Sequence, residues 1–485
     1  MGFPRPDVRG KVATPHACRA GSQADTPDFD EWLWVLAFAQ FALIAKLHLF
    51  RSRYAREVRL SNLLLILILA VTAALPARAE LRASAVKVDV TPKSPQWLMG
   101  YAARQSTGVH DRIFHRVAAL DDGKTQVYLV ASDFCVFSPS VFDEFAAELQ
   151  AKTGITRKQL WWMTTHTHSA PELGPPGVYD ILLKGRSDHA WDREYLAEVK
   201  AALLSAITEA RGKLEPARVS TGTGFSRANI NRRARDLDGT ISLGLNPDGP
   251  ADRQIGLMRL ERPNGETIAL IANYAMHATA LGGRFLEVSG DAPGIVAAHV
   301  ESAIGAPMLF VNGAAGNLAP IYSVQNDVRS AHLGEFRVLL GERILEAARA
   351  LPKGADSVLW LGEKWIETPR KPDLGWPAEL PMYASKDSAG GPLVRIPVRF
   401  LRVQDAAIWA APVELFCEVA MRVRQESPFR FTFFFGYANG WLGYLPTAAA
   451  YGEGGYEPRT AVVTERAEKD LTEGVLTFLH SIPRQ

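Results

Sequence analysis

Short apolar runs alternate with segments of helical periodicity along most of this sequence, and that alternation limits the possible folds more than any other feature. Five runs have the length and composition of buried strands: 85–90, 127–131, 160–164, 268–272 and 308–311. Six segments carry apolar residues at helical spacing: 141–152, 193–211, 293–303, 336–350, 413–425 and 465–479. Such alternation is typical of α/β proteins. We therefore predict mixed β-sheets flanked by α-helices in one large domain, with a long surface loop at residues 370–395.

The composition excludes several classes of protein. Of the 485 residues, 47% are apolar and 22% are charged, which is ordinary for a packed globular protein and excludes disordered and collagen-like chains. The 54 basic and 52 acidic residues leave no excess of positive charge for a nucleic-acid partner. Three cysteines, Cys18, Cys135 and Cys417, are too few for a disulfide framework. A bridge between Cys135 and Cys417 is one interpretation, and two buried free thiols are the favoured one.

The N-terminal region has the pattern of an export signal. Residues 51–79 contain a cluster of four arginines, then an apolar run, and end at Ala77-Arg78-Ala79. This order is typical of a signal peptide and predicts a slightly acidic protein of residues 80–485, secreted or periplasmic. Residues 1–50 include a second apolar run at 32–50. We interpret them either as the result of a start codon assigned too far upstream or as part of a membrane anchor.

The most informative local motif is Thr165-His166-Thr167-His168-Ser169, which follows the strand run 160–164. Side chains two residues apart on a strand lie on the same face, so both imidazoles can point at one place. Two such histidines near a strand end commonly form half of a zinc site. The alternative is a pair of hydrogen-bonded structural histidines.

Three further residues are candidates to complete a zinc site. His277 follows the apolar strand run 268–272, Glu414 opens the helix predicted at 413–425, and Tyr444 lies in an aromatic, glycine-rich segment. Each has an ordinary alternative. A carboxylate in a first helical turn also complements the helix dipole, and tyrosines in such a segment commonly pack or line a pocket.

Nine segments in a fixed order make the pattern specific. They are Leu98–Tyr101, Gly108–Arg112, Thr165–Ser169, Asn231-Arg232, Ser289–Gly294, Asn312–Pro320, Pro412–Glu414, Tyr437–Asn439 and Tyr456-Glu457. From about Lys87 to Glu457 the sequence resembles the neutral/alkaline non-lysosomal ceramidases, zinc amidohydrolases that cleave the N-acyl bond of ceramide. The resemblance covers their catalytic domain and does not extend to the C-terminal β-sandwich domain of the longer members.

The resemblance implies a role for each residue that matches a family motif. It implies one catalytic zinc ion with four ligands: His166, His277, Glu414 and Tyr444. It implies that three other residues face the reacting amide: His168 at the scissile carbonyl, with Arg232 and Tyr456 beside it. The implied substrate is a ceramide-like lipid amide, reached through transient contact with a membrane surface.

The chemistry of these residue types fits that implication. A mostly neutral set of nitrogen and oxygen ligands leaves zinc Lewis-acidic, so that it lowers the pKa of a bound water towards about 7 and polarises a carbonyl. His168, Arg232 and Tyr456 are suited to stabilise an oxyanion and to protonate a leaving amine. Asp133 and Asp291 are candidates to orient the zinc-binding histidines. Their alternative role is to cap a loop or a helix.

Two local departures from the family bear on the substrate. Ala319 stands before Pro320 where the family has a serine, and the histidine motif continues with Ala170-Pro171-Glu172 instead of a glycine-rich turn. A zinc-activated water does not need that serine, so we predict an active hydrolase of ceramide or a related lipid amide. The alternatives are a zinc hydrolase of another N-acyl substrate, such as an N-acyl amino acid, and a catalytically weakened zinc-binding surface protein. A TIM-barrel metal hydrolase also carries a His-x-His pair, but the nine ordered segments favour the ceramidase pattern.

Overall fold

Three mixed β-sheets share an apolar centre, and helices cover their outer faces. The computed structural model describes residues 80–483. The predicted signal peptide at 51–79 and the apolar run at 32–50 lie outside the described residues and stay predictions. Within the described part, the mixed sheets, the flanking helices and their arrangement in one large domain confirm the predicted fold class.

The strands of the described residues, in chain order, are β1 (Arg82–Asp89), β2 (Gly108–Val109), β3 (Phe114–Asp121), β4 (Gln126–Ser132), β5 (Leu160–Thr164), β6 (Glu215–Pro216), β7 (Arg218–Phe225), β8 (Asn229–Arg235), β9 (Ile241–Asn246), β10 (Gln254–Glu261), β11 (Thr267–Tyr274), β12 (Glu287–Val288), β13 (Met308–Asn312), β14 (Leu318–Pro320), β15 (Leu359–Pro369), β16 (Ala384–Lys386), β17 (Pro392–Val403), β18 (Ala406–Ala410), β19 (Glu414–Leu415), β20 (Phe431–Phe435) and β21 (Tyr444–Leu445).

The α-helices of the same residues are α1 (Pro139–Thr153), α2 (Val178–Leu182), α3 (Arg193–Gly212), α4 (Asp291–Ile304), α5 (Arg343–Arg349), α6 (Cys417–Glu426), α7 (Ala448–Glu453), α8 (Tyr456–Arg459) and α9 (Arg466–Ser481). A π-helical turn, Arg337–Glu342, leads into α5, and short 3-10 turns lie at Leu333–Glu335 and Pro381–Tyr383.

One order of elements occurs three times along the chain. Each unit has three antiparallel strands, a helix, a fourth strand parallel to the third, and a last helix that packs on the first strand. The units are β1-β3-β4-α1-β5-α3, β7-β10-β11-α4-β13-α5 and β15-β17-β18-α6-β20-α9. The sequence shows no motif repeated with this period, so this internal similarity is visible only in the structure.

The inner faces of the three sheets meet in one apolar core. Leu129 of β4, Ile271 of β11 and Ile408 of β18 are buried together in this centre. The outer faces are covered by α1 and α3 on the first sheet, α4 and α5 on the second, and α6 and α9 on the third. Because both faces of each sheet are covered, a strand such as β5 consists of continuous buried residues and not of alternating polar and apolar ones.

Local sequence signals explain why several helices begin and end where they do. Helix α1 begins where the Ser138 hydroxyl accepts a hydrogen bond from the Ser140 amide, with Pro139 in its first turn. It ends at Gly154, whose φ of 77° is a left-handed conformation that glycine adopts readily. All five predicted strands are confirmed, and four of the predicted helices are found within a few residues of their expected bounds. The first half of the segment predicted at 336–350 is π-helical, and the helix predicted at 413–425 begins late.

Two predicted elements differ from the structure. The helix expected at 413–425 begins only at Cys417, and Glu414 lies in β19, which pairs in parallel with β21. The loop expected at 370–395 contains β16, which pairs with β17. For Glu414 the strand partner is thirty residues away in the sequence, and local periodicity carries no information about such a partner. The strands β16 and β17 form a local hairpin inside the region expected to be a loop.

Two smaller predictions concern the cysteines and the membrane. Cys135 and Cys417 are buried and unbridged, which confirms the favoured interpretation as free thiols. None of the helices within residues 80–483 combines the length and the apolar character that crossing a membrane requires.

Candidate active site

The predicted zinc ligands lie at one end of the three sheets, in segments that leave the third or fourth strand of each unit. His166 follows β5, His277 follows β11, and Glu414 in β19 follows β18. Two pairings fix their neighbours. A parallel bridge between Thr167 and Ala278 sets the two histidine segments side by side, and the β19–β21 pairing puts Glu414 opposite Tyr444.

The ligand atoms of His166, His277 and Glu414 converge on one buried place. The Glu414 Oε2 atom lies 3.0 Å from His277 Nε2 and 3.4 Å from His166 Nε2, and the three atoms all lie within 4.8 Å of one another. The Tyr444 hydroxyl is 3.3 Å from His277 Nε2. The structure therefore brings all four predicted ligands together, although their assignment as ligands stays a prediction.

Backbone carbonyls hold the two imidazole rings. The Nδ1 atom of His166 lies 3.1 Å from the Cys135 carbonyl oxygen, and that of His277 lies 2.7 Å from the Ala315 carbonyl oxygen. A carbonyl oxygen can only accept, so each Nδ1 carries the proton and each Nε2 presents a lone pair. Burial lowers the pKa of His277 to about 4, which keeps that ring neutral.

The two aspartates considered as orienting groups act elsewhere. Asp133 forms a buried ion pair with Arg116, with 2.8 Å between oxygen and nitrogen. Asp291 accepts hydrogen bonds from the backbone amides of Ala280, Leu281 and Ala292. Neither carboxylate has a hydrogen bond to His166 or His277, so the capping or structural role is the one that the structure supports.

Two aromatic residues that the sequence reasoning did not single out hold Glu414. The Trp441 indole donates a 2.9 Å hydrogen bond to Glu414 Oε1, and the Tyr437 hydroxyl is 3.5 Å from Oε2. The Tyr437 ring also stacks on His166 at 4.1 Å. Both His166 and Tyr437 have positive φ, 66° and 53°, which is uncommon outside glycine and typical of functional sites. The segment Tyr437–Asn439 was itself one of the nine motif segments, and that was the available signal.

His168 stands between this cluster and the cavity. Its Nε2 lies 3.2 Å from His166 Nε2, and its ring meets Tyr101 edge-on at 4.9 Å. A Cβ at Gly100, whose φ is 102°, would lie 2.4 Å from His168 Nδ1, so only glycine leaves room for this ring. His168 Nδ1 has no hydrogen-bond partner among the described residues.

A buried charge network links Arg232 to the predicted ligand Tyr444. The Arg232 guanidinium donates to the Tyr444 hydroxyl at 3.0 Å and to Glu457 Oε1 at 2.9 Å. Glu457 also pairs with Arg233 at 2.8 Å. The ring of Tyr456 meets that of Tyr444 edge-on, 5.7 Å between centroids. All three residues expected to face the amide therefore surround the same cluster.

Comparison with known proteins identifies the family. Residues 84–316 match the profile described as "Neutral/alkaline non-lysosomal ceramidase, N-terminal". Residues 84–316 belong to the neutral/alkaline non-lysosomal ceramidase family. The resemblance inferred from the nine segments is thereby confirmed.

Individual ceramidases show how far the similarity extends. The chain is 27% identical to the neutral ceramidase of Pseudomonas aeruginosa over 266 residues, covering 51% of this chain and 38% of that protein. It is 28% identical to neutral ceramidase B of Dictyostelium discoideum over 235 residues, covering 45% and 31%. The matches therefore span less than two-fifths of the length of these curated relatives.

A solved ceramidase has the same fold. The crystal structure of the neutral ceramidase from Pseudomonas aeruginosa superposes with a TM-score of 0.67 at 18% identity, covering 84% of this chain and 76% of that one. At this identity the likeness concerns the fold, and it extends beyond residues 84–316 into the third unit.

A cavity of about 430 Å³ opens beside His168 and Tyr444. Its lining includes Ala319, at the position where the family resemblance implies a serine; Ala319 lies on β14, which pairs with β8, the strand of Arg232. The loop predicted at 370–395 contributes none of the residues that line the cavity.

Proposed function

We propose that this chain is an exported, zinc-dependent amidohydrolase that cleaves the N-acyl bond of ceramide or a related lipid amide. The observation that carries the proposal is the convergence of His166 Nε2, His277 Nε2 and Glu414 Oε2 beside a cavity large enough for part of a lipid. Membership of the ceramidase family supports amide hydrolysis, and the names of the curated relatives support ceramide as the first substrate to test.

The donor set fits zinc. Two imidazole nitrogens with free lone pairs, a carboxylate oxygen and a nearby tyrosine hydroxyl are the nitrogen and oxygen ligands that catalytic zinc prefers. Carbonyl acceptors on the far side of both rings are the usual support for such ligands. A zinc ion held by His166, His277, Glu414 and Tyr444 would supply Lewis acidity towards water and the amide carbonyl.

The remaining residues bind and orient the amide. His168 faces the cavity next to the ligand cluster, where its imidazole can hydrogen-bond the carbonyl oxygen as negative charge develops. Arg232 places a permanent positive charge against Tyr444, which stabilises an anionic transition state in a water-poor site. The Tyr456 hydroxyl lines the same cavity and can donate a hydrogen bond towards the leaving amine.

One observation favours a second candidate. The methyl group of Ala319 offers no hydroxyl to the cavity, which is what a catalytically weakened zinc-binding surface protein would show. All four predicted zinc ligands are present beside the cavity, and a zinc-activated water needs no serine hydroxyl. We therefore favour the active hydrolase.

Metal analysis combined with a substrate panel tests the proposal. Purified protein is expected to hold about one zinc ion per chain, and His166→Ala and Glu414→Ala are each expected to lose it together with hydrolysis of a short-chain fluorescent ceramide. His480→Ala, which removes an exposed histidine in the last turn of α9, is the matched control and should keep both. Zinc retained in both ligand variants would refute the site. Zinc without turnover of any N-acyl compound would favour the binding protein.

A further inference from the structure

The cavity wall contains positive charge without any carboxylate. Two arginines, Arg186 and Arg232, line it, and no aspartate or glutamate does. The Arg232 guanidinium is already held by the buried Glu457 and by the Tyr444 hydroxyl. Arg186 lines the cavity without such a carboxylate partner among the described residues, so its guanidinium is the one placed to bind an anionic group of a ligand.

Arg186 lies in the turn that follows α2 and forms no ion pair there with any other described residue. Its backbone amide donates to the Leu183 carbonyl at 3.2 Å. The neighbouring acid Asp180 is occupied by the Ser187 hydroxyl at 2.9 Å. Among residues 80–483, no carboxylate oxygen lies within 4.0 Å of the Arg186 guanidinium.

Arg186 lines the same cavity as the residues assigned to the reacting amide. That cavity, of about 430 Å³, is also lined by His168, Arg232 and Tyr456. Tyr456 in turn contacts Tyr444 of the ligand cluster. A group bound by Arg186 therefore lies in the same cavity as the proposed scissile bond.

The rest of the lining suits an aliphatic chain. Leu243 and Leu245 of β9 line the cavity although they are 53% and 56% exposed, and Ile321 and Val324 add further apolar surface. Exposed leucines on a cavity wall are normally covered by an apolar ligand. One cavity thus combines an apolar surface with a guanidinium that has no carboxylate partner among residues 80–483.

We propose that the cavity selects N-acyl amides whose amine part carries an anionic oxygen group, carboxylate or phosphate, and that Arg186 binds this group. A guanidinium presents a planar pair of donors that matches both groups, whereas it gains little from the neutral hydroxyls of ceramide. The inference rests on the proposed amide hydrolysis, in which water adds across the C–N bond and releases a fatty acid and the free amine.

Three substrates with the same acyl chain test the selection. N-lauroylglycine carries a carboxylate, N-lauroylethanolamine is its neutral counterpart, and the phosphate ester of the latter carries a phosphate. The zinc-loaded full chain is expected to hydrolyse at least one anionic amide with a kcat/KM about 10- to 100-fold above that of the neutral one, the value of a charge-assisted hydrogen bond. Whichever of the two anionic amides has the higher kcat/KM shows whether Arg186 prefers a carboxylate or a phosphate.

Variants of Arg186 assign the preference to this side chain. Arg186→Gln should lower kcat/KM for the preferred anionic amide about 10- to 100-fold, chiefly through KM, and change the neutral amide less than about threefold. Arg186→Lys should restore part of the loss. Lys184→Gln, which removes an exposed charge two residues away, is the control and should change neither substrate.

Two results would overturn the inference: equal hydrolysis of neutral and anionic amides by the unaltered protein, or an equal loss on both in Arg186→Gln. If no amide is hydrolysed, the proposed function fails separately. Calorimetric binding of N-lauroylglycine to the unaltered protein and to Arg186→Gln then decides the question, since equal affinities refute anion recognition by Arg186.

Discussion

Replacing Gly100 by alanine should disable His168 without touching a predicted zinc ligand. The added Cβ would lie 2.4 Å from His168 Nδ1 and 2.5 Å from its Cγ, where ordinary contacts begin at 3.4 Å. The ring must therefore move by about 1 Å, and a displacement of that size in a reacting group costs about 10²-fold in rate. We expect Gly100→Ala to lower kcat/KM for the best N-acyl substrate by about 10²-fold.

The backbone adds a separate cost that a second glycine can measure. With φ at 102°, alanine at position 100 is strained by roughly 1–2 kcal/mol of folding free energy. Gly154 has a φ of 77° and open space where its Cβ would be, so Gly154→Ala pays a similar backbone cost without meeting another atom. Gly100→Ala should lose at least as much stability as Gly154→Ala, because the displaced ring adds a packing cost, and only Gly100→Ala should lose activity.

The assay combines thermal unfolding, zinc content and steady-state kinetics on the two variants. Zinc should stay near one ion per chain in both, because the atoms that crowd the new Cβ belong to His168 alone. Full activity in a folded Gly100→Ala protein would refute the role assigned to His168. Loss of zinc in Gly100→Ala would refute the reasoning that the added methyl group displaces only the His168 ring.

Two further predictions concern the absent serine and a buried histidine. Ala319→Ser should change kcat/KM by less than about threefold, because Ala319 borders the cavity but supplies no predicted ligand; a gain above about tenfold, the size of one strong hydrogen bond, would instead assign a catalytic role to the hydroxyl. His115 is buried against Ser132 on the first sheet, and burial lowers its pKa to about 4 from an ordinary 6.5. The stability supplied by the neutral ring is complete above pH 6.5 and falls by about 3 kcal/mol as the pH drops to 4. Denaturant titrations at several pH values should therefore show that the free energy of unfolding falls less between pH 6.5 and 4 in His115→Gln than in the unaltered protein. An equal fall in both proteins would contradict this prediction.

The sequence predicted most of the fold because its signals are local. Strand β5 was expected at its observed bounds, since a strand buried on both faces is a short continuous apolar run. The four ligand candidates could be placed because histidine, glutamate and tyrosine carry recognisable chemistry and matched ordered motifs. These two kinds of signal, apolar periodicity and reactive side chains, are read directly from residue types.

What the sequence did not predict depends on partners distant in the chain. Glu414 was expected in a helix, but the hydrogen bonds of β21 draw it into a strand. The groups that orient His166 and His277 are the carbonyl oxygens of Cys135 and Ala315, and every residue has a carbonyl, so no pattern marks them. Asp133 and Asp291 were considered as the orienting groups because a sequence identifies carboxylate side chains but gives no information about which backbone carbonyl lies near a histidine.

The threefold order of elements has a consequence for folding. Each unit contributes to the ligand cluster: His166 from the first, His277 from the second, and Glu414 with Tyr444 from the third. If the predicted zinc ion is bound by these residues, it stabilises only the state in which all three units have docked, since a partly assembled chain lacks part of the ligand set. Opening any single unit then also costs the free energy of releasing the ion. Amide hydrogen exchange would show that cooperativity as a common protection factor for β4, β11 and β18, one interior strand from each unit.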